Sequence, residues 1–405
     1  MRRRARRSVA GLCFALAACA SSPDAGGERG AGWDDAGGAR DAGRTRDAGD
    51  AHQTPRVPNI DAVLAGECAT ASAPSRLLPV NLLFTLDRSS SMACNPPPTT
   101  DSVACEADPM RAEPREPSKW EITRTELADA IQLLPAQTVV GLAYFSNDDA
   151  CGVHSTPSVP LSPLGGAQKS LVEASLAAVE PGGSTPLVGA TVLAYKHLYT
   201  EAVAGRVTGR MFVVLITDGE QSESCSDPAR CKGQAECTRV LVDEEVPKAT
   251  DTGIGTFVIG APGSELARST LSAIALAGGT APEGCELARG DCHFDMTRER
   301  DFGRSLREAL TDIAGRAVRC EFAVPNFDGA AVDLDLINIV YTPGDGERRV
   351  ILRDDRGACD AGADGWQYNE DDTGIRLCGP SCEQVRGDPE ARLDVVLGCP
   401  VVGPI

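Results

Sequence analysis

Two apolar runs of the same kind, Val80-Asn-Leu-Leu-Phe-Thr-Leu86 and Met211-Phe-Val-Val-Leu-Ile-Thr217, each lead straight into an aspartate, Asp87 and Asp218. Neither run alternates polar and apolar residues as a half-wet strand would, so both faces of such strands must be covered. Further strands are expected near 138–145 and 255–260. Between and around them, stretches near 118–134, 167–179, 186–203, 240–250, 264–277 and 301–318 carry helical periodicity. Buried strands alternating with helices predict an α/β fold with a doubly wound, mainly parallel sheet covered on both faces. Ligands of such sheets gather at the carboxyl ends of the strands, where Asp87 and Asp218 lie. Cys292-His-Phe-Asp-Met296 suits a short last edge strand.

Asp87-Arg-Ser-Ser-Ser91 has the form Asp-x-Ser-x-Ser. An acid and two hydroxyls at alternate positions, where a strand gives way to a loop, can turn hard oxygen ligands toward one divalent cation. Thr185 lies in the turn-rich Pro181-Gly-Gly-Ser-Thr-Pro186, which opens a helical stretch, and Asp218 precedes Gly219. The competing reading is local: Asp87 and Asp218 cap helices and Thr185 makes a turn. Taken together and in this order, the three pieces resemble the metal-ion-dependent adhesion site of von Willebrand factor type A domains, over about residues 76–318. Ser90 stands where that family commonly has Gly, a small replacement that a turn tolerates.

The resemblance implies a Rossmann-like fold and a cation held by Ser89 and Ser91, by Thr185 in some liganded states, and by Asp87 and Asp218 directly or through water. It implies no catalytic residues. With few direct carboxylates the ion keeps much of its charge, so a carboxylate from a partner, a protein first and a glycan second, can complete its coordination. Mg²⁺ suits such a site best, with Ca²⁺ and Mn²⁺ as alternatives. Two irregular stretches follow the proposed ligands: Ala93 to Ser118, rich in Pro and closed by Cys94 and Cys105, and Glu220 to Cys237, which holds Cys225, Cys231 and Cys237. Such loops either preorganise a binding rim or simply cap the domain.

The start of the chain reads as an export signal over 1–19: a basic Met1-Arg-Arg-Arg-Ala-Arg-Arg7, a short apolar core and Leu16-Ala-Ala-Cys19. Leu-Ala-Ala-Cys is similar to the bacterial lipobox. That resemblance implies lipid on Cys19 and anchoring in the envelope of a Gram-negative-type bacterium, at the outer membrane. Residues 20–66, where Asp-Ala-Gly recurs at Asp24, Asp35, Asp41 and Asp47, lack the apolar residues to offset ordering entropy and read as a disordered tether. Removing the five arginines of residues 1–19 from 39 basic residues leaves 34 against 58 acidic ones, a net −24 that argues against nucleic acid as a partner.

Of 16 cysteines, Cys13 would leave with the signal and Cys19 would carry lipid, leaving an even fourteen for disulfides in an oxidising compartment. Cys94 with Cys105 and Cys285 with Cys292 are the favoured local pairs. Asn147-Asp-Asp149 with His154 suggests a second metal site or, more simply, a solvated loop. No other histidine stands at metal-ligand spacing, and the common hydrolase, phosphate-loop and dinucleotide motifs are missing.

Residues 320–405 change character. Glu321–Pro325, Ala331–Tyr341, Arg349–Leu352, Gly374–Leu377 and Ala391–Leu397 read as short strands between Gly, Asp and Pro turns, a small β-rich domain stapled by its cysteines. Gly365-Trp-Gln-Tyr368 suits either an exposed aromatic patch or, preferably, core filling. The expected function is a cation-dependent binding or adhesion module of a lipid-anchored envelope protein. Two alternatives stand beside it: an envelope assembly factor with a permanently filled site, and an enzyme whose catalytic residues lie in the C-terminal domain.

Overall fold

The computed structural model describes residues 59–75, 79–148, 150–226, 231–317, 320–325, 333–344, 346–356, 359, 364–369, 374–388 and 391–403. The expected signal, Cys19 and the expected tether as far as residue 58 lie outside them.

The chain enters through α1 (Ile60–Ala65) and β1 (Ala71–Ser75). An α/β region follows: β2 (Val80–Asp87), α2 (Ser102–Ala107), α3 (Lys119–Leu133), β3 (Val139–Phe145), β4 (Val159–Pro163), α4 (Gly166–Ala178) and α5 (Leu187–Val203). It continues with β5 (Arg210–Thr217), α6 (Gly233–Val240), α7 (Val246–Asp251), β6 (Ile254–Gly260), α8 (Arg268–Ala277), β7 (Phe294–Asp295) and α9 (Phe302–Ala317). The remainder holds β8 (Glu321–Ala323), β9 (Ile337–Thr342), β10 (Arg349–Ile351), β11 (Gly365–Tyr368), β12 (Gly374–Cys378), α10 (Gly379–Gly387) and β13 (Arg392–Leu397).

The larger sheet has the order β4-β3-β2-β5-β6-β7, parallel except for β4, which runs antiparallel to β3. All eight residues of β2 are buried. Its side chains divide by parity, as a strand requires. Leu82, Phe84 and Leu86 join Trp120 and Leu127 of α3 and Leu306 and Leu310 of α9 on one face. Leu83 joins Leu187 and Leu198 of α5 and Leu271 of α8 on the other. The doubly wound, mainly parallel sheet expected from the apolar runs is therefore present. The sequence reading missed β4, and it began the helix expected near 240 late: α6 starts at Gly233 and runs through a π-type turn, Leu241–Glu245, into α7.

From β2 the sheet grows through β3 to β4 in one direction, then from β5 through β6 to β7 in the other. The reversal lies between β2 and β5, and it opens a crevice at their carboxyl ends. Asp87 ends β2 and Asp218 follows β5 directly, so the two aspartates meet at that switch point.

The C-terminal region differs from the expected self-contained unit. Its two sheets, β1-β13-β9-β10 and β11-β12-β8, include a strand that precedes the α/β region, because β1 pairs antiparallel with β13 from Ala71–Leu397 to Ser75–Leu393. Residues 59–66, expected to belong to the tether, are accordingly part of this fold. Asn59 caps α1, and Val63 packs with Val340, Val396 and Val402 beside the Cys68–Cys399 disulfide. The α/β region is thus inserted into the β domain, entering after β1 and leaving before β8. Glu321, nearly buried, holds Arg376 at 2.9 Å within the β domain and lies 3.8 Å from Arg210 of β5. Trp366 is fully buried, so the aromatic stretch fills core.

Candidate functional site

Backbone hydrogen bonds lace the loops at the switch point before any ligand is considered. Arg88 N donates to Phe145 O at 2.8 Å, Gly182 N to Arg88 O at 2.6 Å and Ser90 N to Gly183 O at 3.0 Å, which fixes the Asp87–Ser91 loop against the loop carrying Thr185. Ser222 closes the third side: its N donates to Thr185 O at 2.9 Å, and its Oγ accepts from Thr185 N at 2.9 Å. A disulfide, Cys151–Cys225, then joins the loop after β3 to the loop after Asp218. The glycines and short polar residues of these segments provide the close approach that such lacing needs.

The five residues singled out in the sequence converge here. Asp87 Oδ1 accepts from Ser89 N at 2.8 Å and Oδ2 from Thr217 Oγ1 at 2.6 Å. Ser89 Oγ and Ser91 Oγ lie 3.1 Å apart, and Ser91 Oγ donates to Asp218 Oδ1 at 2.8 Å. Thr185 stands over Gly219, where a Cβ would come within 3.7 Å of its Oγ1. Asp87, Ser89, Thr185 and Asp218 are buried and Ser91 is partly open, so the cluster has a floor and a mouth.

Burial pushes the Asp87 carboxyl up to about 7, with the nearby Asp218 charge as the second cause, against hydrogen bonds from Ser89 and Thr217 that work the other way. Two adjacent buried carboxylates with three hydroxyls are a hard-oxygen donor set short of positive charge. That chemistry fits a small divalent cation and suits neither zinc nor a soft metal.

Sequence reasoning missed one member of the cluster, Lys119. Its Nζ bonds Asp218 Oδ2 and donates to Pro262 O at 2.9 Å, and the side chain is 3% exposed. The lysine is delivered by local structure. Ser118 and Glu121 form a capping box that starts α3 at Lys119, and Lys119 N donates to Cys94 O at 2.8 Å, which returns the insertion to the site. Gly263, at φ +117°, lets the backbone pass: a Cβ there would sit 2.7 Å from Asp218 O and 3.0 Å from Lys119 Nζ. The capping-box pattern marked the helix start, but nothing local marked where the lysine points.

The rim loops are braced. Cys94–Cys105 and Cys285–Cys292 are both formed, as the sequence suggested, and Cys231–Cys237 closes the stretch after Asp218. Ser102 Oγ donates to Glu265 Oε1 at 2.8 Å, which ties the insertion to the loop after β6. Asn147 and Asp148 serve their own loop: Asn147 Oδ1 accepts from His154 N at 2.9 Å, and Asp148 Oδ1 accepts from Ala150 N at 3.1 Å. Asp149 lies outside the described residues. An open groove of about 670 Å³ runs beside the site between Glu220, Glu223, Gln234, Arg239 and Asp243.

Among solved structures, the chain is similar to the PilB minor pilin from Streptococcus sanguinis (14% identity, TM-score 0.41), with 59% of this chain and 61% of that one covered. It is also similar to a von Willebrand factor type A protein from Catenulispora acidiphila (10%, TM-score 0.36, 83% and 65% covered). A third likeness is to the ArnB paralog VWA2 from Sulfolobus acidocaldarius (9%, TM-score 0.27, 82% and 60% covered). The chain spans less than two thirds of the length of each. No curated protein matches it. The family model for the von Willebrand factor type A domain matches residues 81–285, half of the chain, from β2 to just beyond α8. The chain belongs to the von Willebrand factor type A domain family.

Proposed function

We propose that this chain is a divalent-cation-dependent binding module of a bacterial cell envelope. In this reading, lipid on Cys19 anchors it at the outer membrane, and a carboxylate from a protein partner completes the coordination of its cation. The observation that carries the proposal is the meeting of Asp87, Ser89, Ser91, Thr185 and Asp218 at one strand switch point with its mouth open. Ser89, Ser91 and Thr185 offer neutral oxygens, and Asp87 and Asp218 offer the only carboxylates of the set. When bound, the ion supplies a positive point that attracts a partner's carboxylate. Mg²⁺ suits the hard, mostly neutral set best, with Ca²⁺ and Mn²⁺ as alternatives, and a glycan acid is the second class of partner. The reading makes the protein a binder and assigns it no catalysis; the net −24 of residues 20–405 (34 basic against 58 acidic) disfavours nucleic acid.

Calorimetric titration of Mg²⁺, Ca²⁺ and Mn²⁺ into the metal-free, oxidised mature chain tests the proposal beside Asp218→Ala. One ion bound by the parent and lost by the variant is expected. Equal titration of the two proteins would refute the site.

One observation favours a second reading, an envelope assembly factor whose site holds another subunit permanently. Val103 (80% exposed) and Met110 (60%) stand out on the insertion, and Leu266 (84%) on the loop that Ser102 bonds. Apolar side chains left this open beside a polar site suit a protein contact.

A further inference from the structure

Lys119 is the feature of the site that its proposed chemistry does not require. A cation-binding cluster gains nothing, on its face, from a buried ammonium bonded to one of its two carboxylates. Burying a lysine is costly unless it is paired and hydrogen-bonded, and here both Asp218 Oδ2 and Pro262 O serve that end. The capping box and the Cys94 carbonyl fix the lysine's backbone, and Gly263, lacking a Cβ, leaves room for its ammonium. A side chain held from this many directions is part of the site's construction.

We propose that Lys119 is a permanent counter-cation of this centre. Resting on the cation-site reading above, the proposal is that Lys119 keeps Asp87 and Asp218 together without an ion, weakens the hold on a bare divalent cation, and shifts recognition toward the ion together with a carboxylate. The charge count gives the sign. With both aspartates ionised, as a bound ion would require, they and Lys119 sum to −1, and a divalent ion makes +1. Without the lysine the same ion would leave the centre neutral. A centre left at +1 at the mouth of a largely buried site draws in an external carboxylate, whereas a neutral one does not. The lysine also holds the oxygen of Asp218 opposite to the one Ser91 bonds, so it competes for that carboxylate with an incoming ion.

The test is calorimetric titration of Mg²⁺ alone into the full oxidised chain and into Lys119→Met, with and without acetate as a carboxylate probe. Lys119→Met is expected to bind Mg²⁺ at least about tenfold more tightly, because a like charge beside the ion is removed and Asp218 is released. Acetate should tighten Mg²⁺ binding in the parent and do so less in Lys119→Met, as reciprocal linkage between ion and carboxylate requires. A lysine with a merely structural role would give the opposite sign, since disturbing the loops weakens binding. Lys119→Gln, which keeps a donor for Pro262 O, covers the case in which Lys119→Met fails to fold. Folding of either variant is read from thermal melts followed by tryptophan fluorescence, to which the buried Trp120, next to Lys119 in sequence, contributes. If the parent binds Mg²⁺, Asp218→Ala does not, and neither Lys119 variant binds more tightly, the cation site stands and the role of Lys119 falls. Tighter Mg²⁺ with unchanged acetate linkage would overturn the charge argument. Parent, Asp218→Ala and Lys119 variants titrating alike would sink both readings together.

Discussion

The inserted type A domain and the β domain that encloses it reach stability by opposite means. The type A domain has a six-stranded sheet covered on both faces, and its four disulfides, Cys94–Cys105, Cys151–Cys225, Cys231–Cys237 and Cys285–Cys292, lie outside that sheet, in loops and in the short helices α2 and α6. The β domain has sheets of four and three strands around a much smaller core. Of its three disulfides, Cys68–Cys399 ties the segment before its first strand to the segment just after its last, Cys320–Cys382 ties the junction to α10, and Cys359–Cys378 ties the end of β12 to Cys359. A domain with a large core needs no staple, so its disulfides can instead brace the loops around the proposed site. A small core depends on its crosslinks.

Core truncation should separate the two most sharply. Trp366→Ala removes the largest fully buried side chain of the β domain and is expected to cost about 3–5 kcal/mol, enough to unfold that domain alone. Calorimetry should then show the type A transition persisting after the β transition is lost. A single shared transition that collapses as a whole would mean that the two regions are one cooperative unit.

Crosslink removal comes next. The Cys68–Cys399 disulfide spans 331 residues and encloses the whole type A domain. Cys68→Ser with Cys399→Ser should lower β-domain stability by about 2–4 kcal/mol and leave Mg²⁺ binding unchanged. Cys151→Ser with Cys225→Ser should do the reverse, changing the melting of the type A domain little while weakening Mg²⁺ several-fold, because that bridge braces the Thr185 loop. If both pairs move stability alike, the division of labour between the two sets of disulfides is wrong.

The comparison also explains what the sequence made legible. Strands β2 and β5 of the type A domain are near-continuous apolar runs leading into Asp87 and Asp218, so a local pattern carries both the fold and the proposed site. β4 was missed because Val159-Pro-Leu-Ser-Pro163 has two prolines in five residues, which is tolerable only at a sheet edge. The first strand of the β domain was missed for another reason. Ala71-Ser-Ala-Pro-Ser75 has little strand propensity of its own and is fixed by pairing with β13 more than 300 residues away. Local disulfides were readable because short loops limit the choice, whereas the partner of Cys68 was not. Lys119 marks the limit within the site: sequence placed it at a helix start, but its direction follows from the tertiary position of Asp218 and Pro262.

A further contrast lies in the pH dependence, where Asp87 of the type A domain and Asp364 of the β domain should differ in sign. Asp87 has its folded value raised to about 7, so in the metal-free protein the native state binds a proton that the unfolded chain releases near 4. Stability contributed by this group is therefore present below about pH 4, declines as pH rises toward 7 and is level above. In the β domain, desolvation raises Asp364, but hydrogen bonds from Ser381 and the Gly365 backbone outweigh it and hold it below its usual range. Its contribution is present above the unfolded value and is lost on acidification. Chemical denaturation with chelator across pH 4–8, compared with Asp87→Asn, isolates the first effect from exposed carboxylates such as Asp148 and Asp291, whose values are lowered. Asp87→Asn should flatten the decline and be about 1–2 kcal/mol more stable than the parent at pH 8, since a buried charge beside Asp218 is removed. Saturating Mg²⁺ should erase the difference in the parent by neutralising that charge, while the β transition keeps its own slope. A parent whose type A transition gains stability from pH 4 to 7 relative to Asp87→Asn would show that Asp87 is already compensated without an ion, and that the site is not held together at the expense of stability.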